Sequence, residues 1–378
     1  MKFVVSSTEL LSHLQAISRV INSKNSLQIL DNFLLSLEGN TLTMTASDIE
    51  TTLITSMEVQ DVVGSGKVAV ANKLLLDTLR EFSDQPLAFQ IDDSNLAMVI
   101  TSSNGTYNFI GQSGDMYPQL PVLEENARQL NVSVPVLLSG ISKTFFCMAD
   151  DELRPVMNGI FFDITSENLT LVATDAHKLV RFKSAYLSAS ISGDEALSFI
   201  LPKKPAIMLR TILPKEMGEV EIKFDEKNAY FQLSNYTMVC RQVEGRYPNY
   251  NGVIPKNNPF KVIADRTTLL NALKRVSVFS NQASNLIKLE FQQNQIHISA
   301  QDIDFSISAE EYIPCQYEGE YIKIGFKSTF LVEMLGNVDA NDIILELADP
   351  SRAGILLPLE NAENEDILML LMPMLLND

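Results

Sequence analysis

Asp175 and His177 are the two residues whose types and spacing best suit catalysis. An acid two residues from a histidine, at the end of a strand, could orient the imidazole as a general base. The chain has only three histidines, and neither His13, in a predicted helix, nor His297, in a predicted strand, has a second candidate ligand nearby in the sequence. The chain also lacks a GxSxG motif, an HExxH motif and a GK[ST] phosphate loop. We therefore predict no catalytic residue and no enzyme.

The cysteines do not indicate a bound metal or a disulfide framework. Cys147, Cys240 and Cys315 are far apart, odd in number and in no CxxC pair. This pattern fits buried thiols in a reducing compartment. We expect no metal, no cofactor and a cytoplasmic location.

The composition excludes several classes of protein. With 46% hydrophobic and 20% charged residues, the chain is globular rather than disordered. Its 29 Lys and Arg against 47 Asp and Glu give a net charge of -18, which excludes a surface that is basic all over. The N-terminus turns polar too early for a signal peptide, and the longest apolar run, residues 367–376, is about half the length that crosses a bilayer. We expect a soluble protein with no membrane partner.

An internal repeat determines the predicted architecture. Three stretches of alternating apolar residues end at Asp48, Asp175 and Asp302, and 127 residues separate each aspartate from the next. Before each aspartate the pattern predicts a short strand, a polar cap, an amphipathic helix and another strand. A second strand and helix follow, and each copy closes with alternating strands. The pattern predicts three tandem α+β domains, each with two helices and about eight strands in antiparallel sheets.

Charged, Asn and Pro residues cluster between the copies, which places the domains at residues 1–123, 130–255 and 258–378. A strand is predicted over 134–138, and Asp265 is predicted to cap a helix. The predicted helices cover residues 6–25, 72–82, 138–155, 203–215, 265–280 and 327–336.

The charges divide between these helices and the rest of the chain. The predicted helices hold 14 bases and eight acids, a net charge of +6, so the remainder carries -24. One interpretation is that Lys and Arg are good helix formers on solvated faces. The other is that one helical surface faces a polyanion, through a phosphate attraction that is independent of sequence and suits sliding.

Several motifs occur in order along the whole chain: DELRPVMNGIFFDI from Asp151, TDAHKL from Thr174, ILPKK from Ile200, EGRYPNYNGVIP from Glu244 and MPMLL from Met372. Together they resemble the bacterial DNA polymerase III beta subunits, the sliding clamps. The resemblance implies a DNA clamp fold and a head-to-tail homodimer that closes into a ring around double-stranded DNA. Such a subunit slides without sequence specificity and confers processivity. Implied partners are the clamp loader, the DNA polymerase III alpha subunit and other clamp-binding replication and repair proteins.

The resemblance also implies sites on this chain. The partner-peptide pocket maps onto Met157, Thr174, Ala176, His177, Lys178, Leu179, Pro248, Val253, Leu370, Met372, Pro373 and Met374. Channel-facing bases map onto Lys24, Arg154, Lys203 and Lys204, and the helical charge adds Lys73, Arg80, Arg210 and Lys274. The dimer contact maps onto Tyr107, Phe109, Val278 and Phe279, for which an ordinary core position is the open alternative.

Four features depart from the usual family pattern. Gly252 and Leu375 stand where an Arg is common, Ala176 replaces a Gly, and residues 377–378 extend past the usual end. The resemblance then implies a pocket with a less basic rim, whose preferred peptide differs from the usual glutamine, leucine and phenylalanine type. A tandem β-rich adhesion or scaffold protein is a third class, and the basic helices and the missing signal peptide count against it.

Overall fold

The computed structural model describes residues 1–185 and 197–376, so residues 377–378 lie outside the described chain. The first repeat contains β1 (Lys2–Ser6), α1 (Ser7–Ser18), β2 (Asn32–Glu38), β3 (Thr41–Ser47), β4 (Thr51–Glu58), β5 (Gln60–Val63), β6 (Gly66–Ala71), α2 (Asn72–Arg80), β7 (Pro86–Ile91), β8 (Ala97–Thr101), β9 (Thr106–Ile110) and β10 (Gln112–Ser113). The second contains β11 (Arg128–Ser133), α3 (Val134–Phe145), β12 (Gly159–Ile164), β13 (Leu169–Thr174), β14 (Lys178–Ser184), β15 (Leu197–Pro202), α4 (Lys203–Ile212), β16 (Glu219–Phe224), β17 (Asn228–Gln232) and β18 (Tyr236–Arg241). The third contains β19 (Phe260–Asp265), α5 (Arg266–Ser277), β20 (Leu286–Gln292), β21 (Gln295–Asp302), β22 (Ile307–Pro314), β23 (Ile322–Lys327), α6 (Ser328–Gly336), β24 (Asp342–Leu347), β25 (Gly354–Pro358) and β26 (Glu365–Leu371).

The described chain forms two compact units. The first contains residues 1–138 and 204–242, and the second contains residues 139–185, 197–203 and 243–376. The first unit holds a five-stranded sheet in the order β5-β1-β7-β8-β9 and a nine-stranded sheet in the order β10-β6-β2-β3-β4-β18-β17-β16-β11. β4 of the first repeat pairs antiparallel with β18 of the second, with Thr51 opposite Cys240.

The second unit is built in the same way. It holds a four-stranded sheet in the order β22-β21-β20-β23 and an eight-stranded sheet in the order β15-β12-β13-β14-β26-β25-β24-β19. β14 of the second repeat pairs antiparallel with β26 of the third, from Lys178 opposite Leu371 to Ser184 opposite Glu365. Sheets thus continue from one repeat into the next, and the compact units divide the chain differently from the repeats. The predicted domain limits stay predictions.

The helices follow the apolar stripes of the sequence. α1 buries Leu10, Leu14 and Ile17, and its N-cap Ser6 accepts the backbone N–H of Glu9. The predicted cap of α5 is confirmed, because Asp265 accepts the backbone N–H of Thr268 at 2.6 Å. These caps satisfy N–H groups that have no partner within the helix.

The prediction for the start of the second repeat is wrong. Residues 134–138 form the first turns of α3 rather than a strand, and α3 ends at Phe145 rather than at residue 155. The strand is β11, in which Leu130 and Val132 are buried while Gln129 is exposed. Pro135 suits the first helical turn, since its missing N–H would have no partner there. The apolar run after Pro135 has the composition of a buried strand, and for this reason the sequence pattern predicts a strand there.

The division of charge survives the shorter helices. The six helices of the described chain contain nine bases and three acids, a net charge of +6. No helix of the described residues is long and apolar enough to cross a membrane.

Candidate functional site

Residues 174–178, which we call the TDAHK turn, connect β13 to β14 in the second unit. Asp175 Oδ1 accepts the backbone N–H groups of His177 and Lys178 at 2.9 and 2.8 Å. Thr174 Oγ1 accepts the N–H of Ala176 at 3.1 Å and donates to the Lys178 carbonyl at 2.8 Å. Ala176 has a left-handed backbone with φ of 75°. The Asp175 carboxylate therefore closes the turn and does not orient the His177 imidazole.

The C-terminal segment lies beside this turn. The Met372 N–H donates to the His177 carbonyl at 2.9 Å, directly after the last pair of β14 and β26. Two residues later, the Met374 N–H donates to the Gly325 carbonyl of β23 at 2.8 Å. These two backbone bonds fix the segment, and they leave the Met372 side chain exposed next to the turn.

A buried apolar cluster connects the TDAHK turn to the C-terminal segment. Leu179, which follows the turn, and Leu370, which precedes the segment, both belong to it. Val172, Tyr247 and Tyr250 are among its other buried members, and Val156 and Ile254 are among the half-buried residues packed against it. Val253 next to Ile254 is 58% exposed and Leu375 is 84% exposed. The arrangement is a packed apolar floor with exposed apolar residues close by in the chain.

The aromatic residues of this floor were missed by the sequence analysis, although the GRYPNY motif contains both of them. Tyr247 stacks on Phe161 with ring centroids 4.6 Å apart, and its hydroxyl donates to the Val172 carbonyl at 3.4 Å. Gly245 has φ of 126°, and a Cβ there would lie 2.8 Å from Val156 Cγ1. The glycine of the motif therefore allows the chain to approach the cluster closely.

Tyr250, the last residue of the GRYPNY motif, fixes the other end of this motif by a hydrogen bond. Its hydroxyl donates to Asp163 Oδ2 at 2.6 Å. Burial, together with the bond to this carboxylate, raises the pKa of Tyr250 to about 12. The phenol is therefore neutral at physiological pH and remains a hydrogen-bond donor.

The structure places the predicted pocket residues at three depths in the second unit. Thr174, Lys178, Leu179 and Leu370 are buried, Met157, Pro248, Pro373 and Met374 are half-buried, and Ala176, His177, Val253 and Met372 are exposed. The Lys178 ammonium donates to the Phe146 carbonyl at 2.9 Å and pairs with the Glu333 carboxylate. Its charge is therefore neutralised internally.

The predicted channel residues divide into those with and those without an ion-pair partner. Lys24, Lys73 and Lys274 are exposed and have no such partner among the described residues, and Arg210 is exposed. The remaining exposed bases pair with acids close by: Arg80 with Asp77 at 2.7 Å, Arg154 with Asp151 at 2.8 Å and Lys203 with Asp150 at 3.6 Å. Exposed pairs of this kind contribute little to stability and leave the base at the surface.

Lys204 differs from these residues. Its ammonium bonds Asn22 Oδ1 at 2.6 Å, the Val20 carbonyl and the carboxylate of Asp48, whose side chain is 6% exposed. It therefore anchors the turn between β3 and β4 inside the first unit.

The predicted dimer residues lie in an edge strand and just after a helix. Tyr107 and Phe109 belong to β9, an edge strand, where Tyr107 is 39% exposed and Phe109 only 7%. Ile110, which the sequence analysis did not select, is 85% exposed on the same strand. Val278 and Phe279 follow α5 and are 73% and 37% exposed. Phe109 therefore packs in the core of the first unit, and the other three predicted residues are at the surface.

The other candidates for chemistry are accounted for by packing. His13 Nδ1 lies 2.7 Å from Thr55 Oγ1, and burial lowers the pKa of this histidine. His297 stacks on Tyr312 between the carboxylates of Glu290 and Glu310. Cys147 and Cys240 are buried, and burial raises the pKa of the Cys315 thiol to about 11. Within the described residues, no group of three or more His, Cys, Asp or Glu side chains is arranged to hold a metal ion.

Comparison with known proteins accounts for the repeats. Three family models match in order: the N-terminal domain of the DNA polymerase III beta subunit over residues 1–121, the central domain over 131–249 and the C-terminal domain over 251–375. The chain belongs to the DNA polymerase III beta subunit family.

Full-length relatives agree with this membership. A beta sliding clamp of Pseudomonas putida is 27% identical over 377 residues, covering 99% of this chain and 100% of the relative. A beta sliding clamp of Synechococcus elongatus is 28% identical over 367 residues, covering 95% of this chain and 96% of the relative. A solved sliding clamp from Bartonella birtlesii, bound to griselimycin, is 26% identical with a TM-score of 0.91 over 100% of both chains.

The predicted three-domain α+β clamp fold, with two helices per domain, is confirmed. The chain is a beta sliding clamp, the non-catalytic processivity factor of DNA polymerase III in DNA replication. This family membership also confirms the expectation that the chain is not an enzyme.

Lys203 and Lys204 are neighbours, but we predict that replacing each of them changes the free energy of unfolding to a different extent. Lys204→Met removes the partner of the buried Asp48 carboxylate, and we expect it to lower the free energy of unfolding by about 1–3 kcal/mol. Lys203→Met removes only an exposed ion pair and should change it by less than about 1 kcal/mol. Urea denaturation of both variants measures the difference, and equal losses would contradict the structural role of Lys204.

Proposed function

We propose that two copies of this chain form a head-to-tail homodimer, a ring that encircles double-stranded DNA with its helices facing the duplex. The observation that carries this proposal is the charge of +6 on helices in a chain whose net charge is -18. Helical bases would attract phosphates without reading sequence, and the acidic remainder would oppose contact with DNA from outside. The domain limits proposed for each copy are residues 1–123, 130–255 and 258–378.

The channel would be lined by Lys24, Lys73, Arg80, Arg154, Lys203, Arg210 and Lys274. Lys204 is the weakest member of the predicted set, because its ammonium is already bonded within the first unit. Lys24, Lys73 and Lys274 are the most suitable for a test, since each is exposed and without an ion-pair partner in the described chain.

Changing Lys24, Lys73 and Lys274 together to Glu should weaken retention on circular duplex DNA, with a smaller dependence on salt between about 50 and about 200 mM. The matched control changes Lys2, Lys227 and Lys256 to Glu, which alters the net charge equally at exposed positions outside the predicted channel set. Retention is measured by gel filtration after loading, on circular and on linearised DNA. Equal retention on linear DNA with free ends, or equal loss in both variants, would contradict the ring.

The dimer contact would join the β9 edge of one copy to the region of α5 and β22 of its partner. Both β9 and β22 are edge strands, whose free N–H and C=O groups favour pairing with another chain. Tyr107 and Ile110 on the first edge, and Val278 and Phe279 after α5, supply exposed apolar surface. Because the two edges differ, the contact is heterologous, and closure of the ring prevents a filament.

Val278→Asp should convert a dimer of about twice 42.1 kDa into a monomer in sedimentation equilibrium. An aspartate in an apolar contact loses its hydration without gaining a partner. Val122→Asp is the matched control, since Val122 is 90% exposed and outside both edges. A monomeric wild type, or a dimeric Val278→Asp variant, would contradict this assignment.

The partner-peptide pocket would consist of the predicted set, with Tyr247 and Tyr250 forming its floor. Its occupants would be peptides of the DNA polymerase III alpha subunit, the clamp loader and other clamp-binding replication and repair proteins, in the cytoplasm. Gly252 and the exposed Leu375 supply no positive charge at the rim, which favours peptides with apolar rather than acidic flanks. Methionine-rich sites adapt to several partners.

Met372→Glu should weaken binding of a fluorescein-labelled peptide of the glutamine, leucine and phenylalanine type by about tenfold or more. The reason is that it places a charge on the exposed apolar rim. Met217→Glu is the control, since Met217 is 84% exposed in the first unit. Fluorescence polarisation gives both affinities, and griselimycin, the ligand of the Bartonella birtlesii clamp, serves as a competitor. Unchanged affinity of Met372→Glu would exclude this segment from the pocket.

A further inference from the structure

Lys178 is the only charged member of the predicted pocket that is buried. Its side chain is 6% exposed, and its ammonium donates to the Phe146 carbonyl at 2.9 Å and pairs with the Glu333 carboxylate of α6. The ammonium also lies 5.2 Å from the ring centroid of Phe146 and 5.0 Å from that of Phe330. The ammonium therefore has two acceptors and two aromatic rings close to it within the protein.

This arrangement links the TDAHK turn to α6. Successive residues of a strand point to opposite faces, so Leu179 enters the apolar cluster while Lys178 reaches the carboxylate on α6. His177, which precedes Lys178 in the TDAHK turn, stacks on Phe330 with ring centroids 6.4 Å apart. The His177 carbonyl in turn accepts the Met372 N–H. Glu333 and Phe330 thus contact the residues that determine where His177 and Met372 lie.

A second buried lysine joins the same two repeats at the far end of the same strand pair. Lys143 of α3 pairs with Glu365 at 2.6 Å, and both side chains are about one-tenth exposed. Glu365 lies opposite Ser184, six positions along β14 from Lys178, which is about 20 Å in a strand. Lys143 also lies 3.7 Å from the exposed carboxylate of Asp339, and Glu333 is 40% exposed whereas Glu365 is 11% exposed. Both pairs join a buried lysine to a glutamate, but only the pair of Lys178 adjoins the TDAHK turn.

We propose that Glu333 is a positioning residue of the partner-peptide pocket, which it sets by holding Lys178 in place. The inference rests on the proposed peptide site. Removing the Glu333 charge leaves a buried ammonium without its anionic partner, a state that a protein relieves by moving the lysine. Because Lys178 belongs to the TDAHK turn, its movement displaces His177 and the carbonyl that holds Met372.

The test compares Glu333→Gln with Glu365→Gln in the full-length chain. We expect Glu333→Gln to weaken binding of the labelled peptide by about fivefold or more. Glu365→Gln removes the nearer acid of Lys143 and should lower the urea midpoint while it leaves the affinity unchanged. Lys178→Arg, which keeps the charge, should retain most of the affinity that Lys178→Met loses. A purely structural role would not separate the two glutamine variants.

Proton NMR of the imidazoles gives a second readout that does not need the peptide. With only three histidines in the chain, His177→Gln assigns the His177 signal directly. The ring current of Phe330 should make this signal shift in Glu333→Gln and in Phe330→Leu, and not in Glu365→Gln. Equal loss of affinity in Glu333→Gln and Glu365→Gln, or a His177 signal that moves in neither or in both, overturns the proposal. Failure of the wild type to bind both the labelled peptide and griselimycin overturns the proposed pocket instead, while the His177 signal still decides whether Glu333 positions the turn.

Discussion

The backbone pairing of β14 with β26 is the interaction on which the proposed peptide-binding region depends. Seven residue pairs join these strands, and the pairing ends where the TDAHK turn and the C-terminal segment begin. The His177 carbonyl and the Met372 N–H continue the pairing by one bond beyond the sheet. Two segments nearly two hundred residues apart in the chain are therefore held in register by strand geometry, and the apolar cluster under them follows from that register.

The repeats share one turn and use it differently. In each repeat an aspartate side chain accepts backbone N–H groups just after it: Asp48 that of Thr51, Asp175 those of His177 and Lys178, and Asp302 those of Asp304 and Phe305. Ile49 and Ala176 both adopt left-handed backbones, with φ of 81° and 75°. The second repeat alone places a lysine at the end of this turn. A common local structure thus carries a specific side-chain network in one copy.

The charges show why residue type alone does not assign a role. Lys203 and Lys204 are neighbours in α4, yet one reaches an exposed aspartate and the other the buried Asp48. Similarly, Lys178 is a base in a predicted binding site whose charge is used internally. An exposed base is available to a phosphate, whereas one already paired in a partly buried site would lose that pair to bind another anion.

Much of this protein could be predicted from its sequence, because periodicity and caps act over a few residues. The 127-residue spacing of Asp48, Asp175 and Asp302 indicated the repeats, and Asp265 indicated the start of α5. Residues 134–138 were misassigned, since a short apolar run has the same composition in a buried strand and in a buried helix.

Tertiary structure decided the features that depend on distant partners. It fused strands of different repeats into common sheets, placed Tyr247 and Tyr250 in the apolar floor and buried Phe109. It also gave Lys178 and Lys204 internal acids. Local sequence specifies the residue types and the repeat, but a side chain's burial and charge partner depend on which distant segment folds against it, and that is a property of the whole sheet.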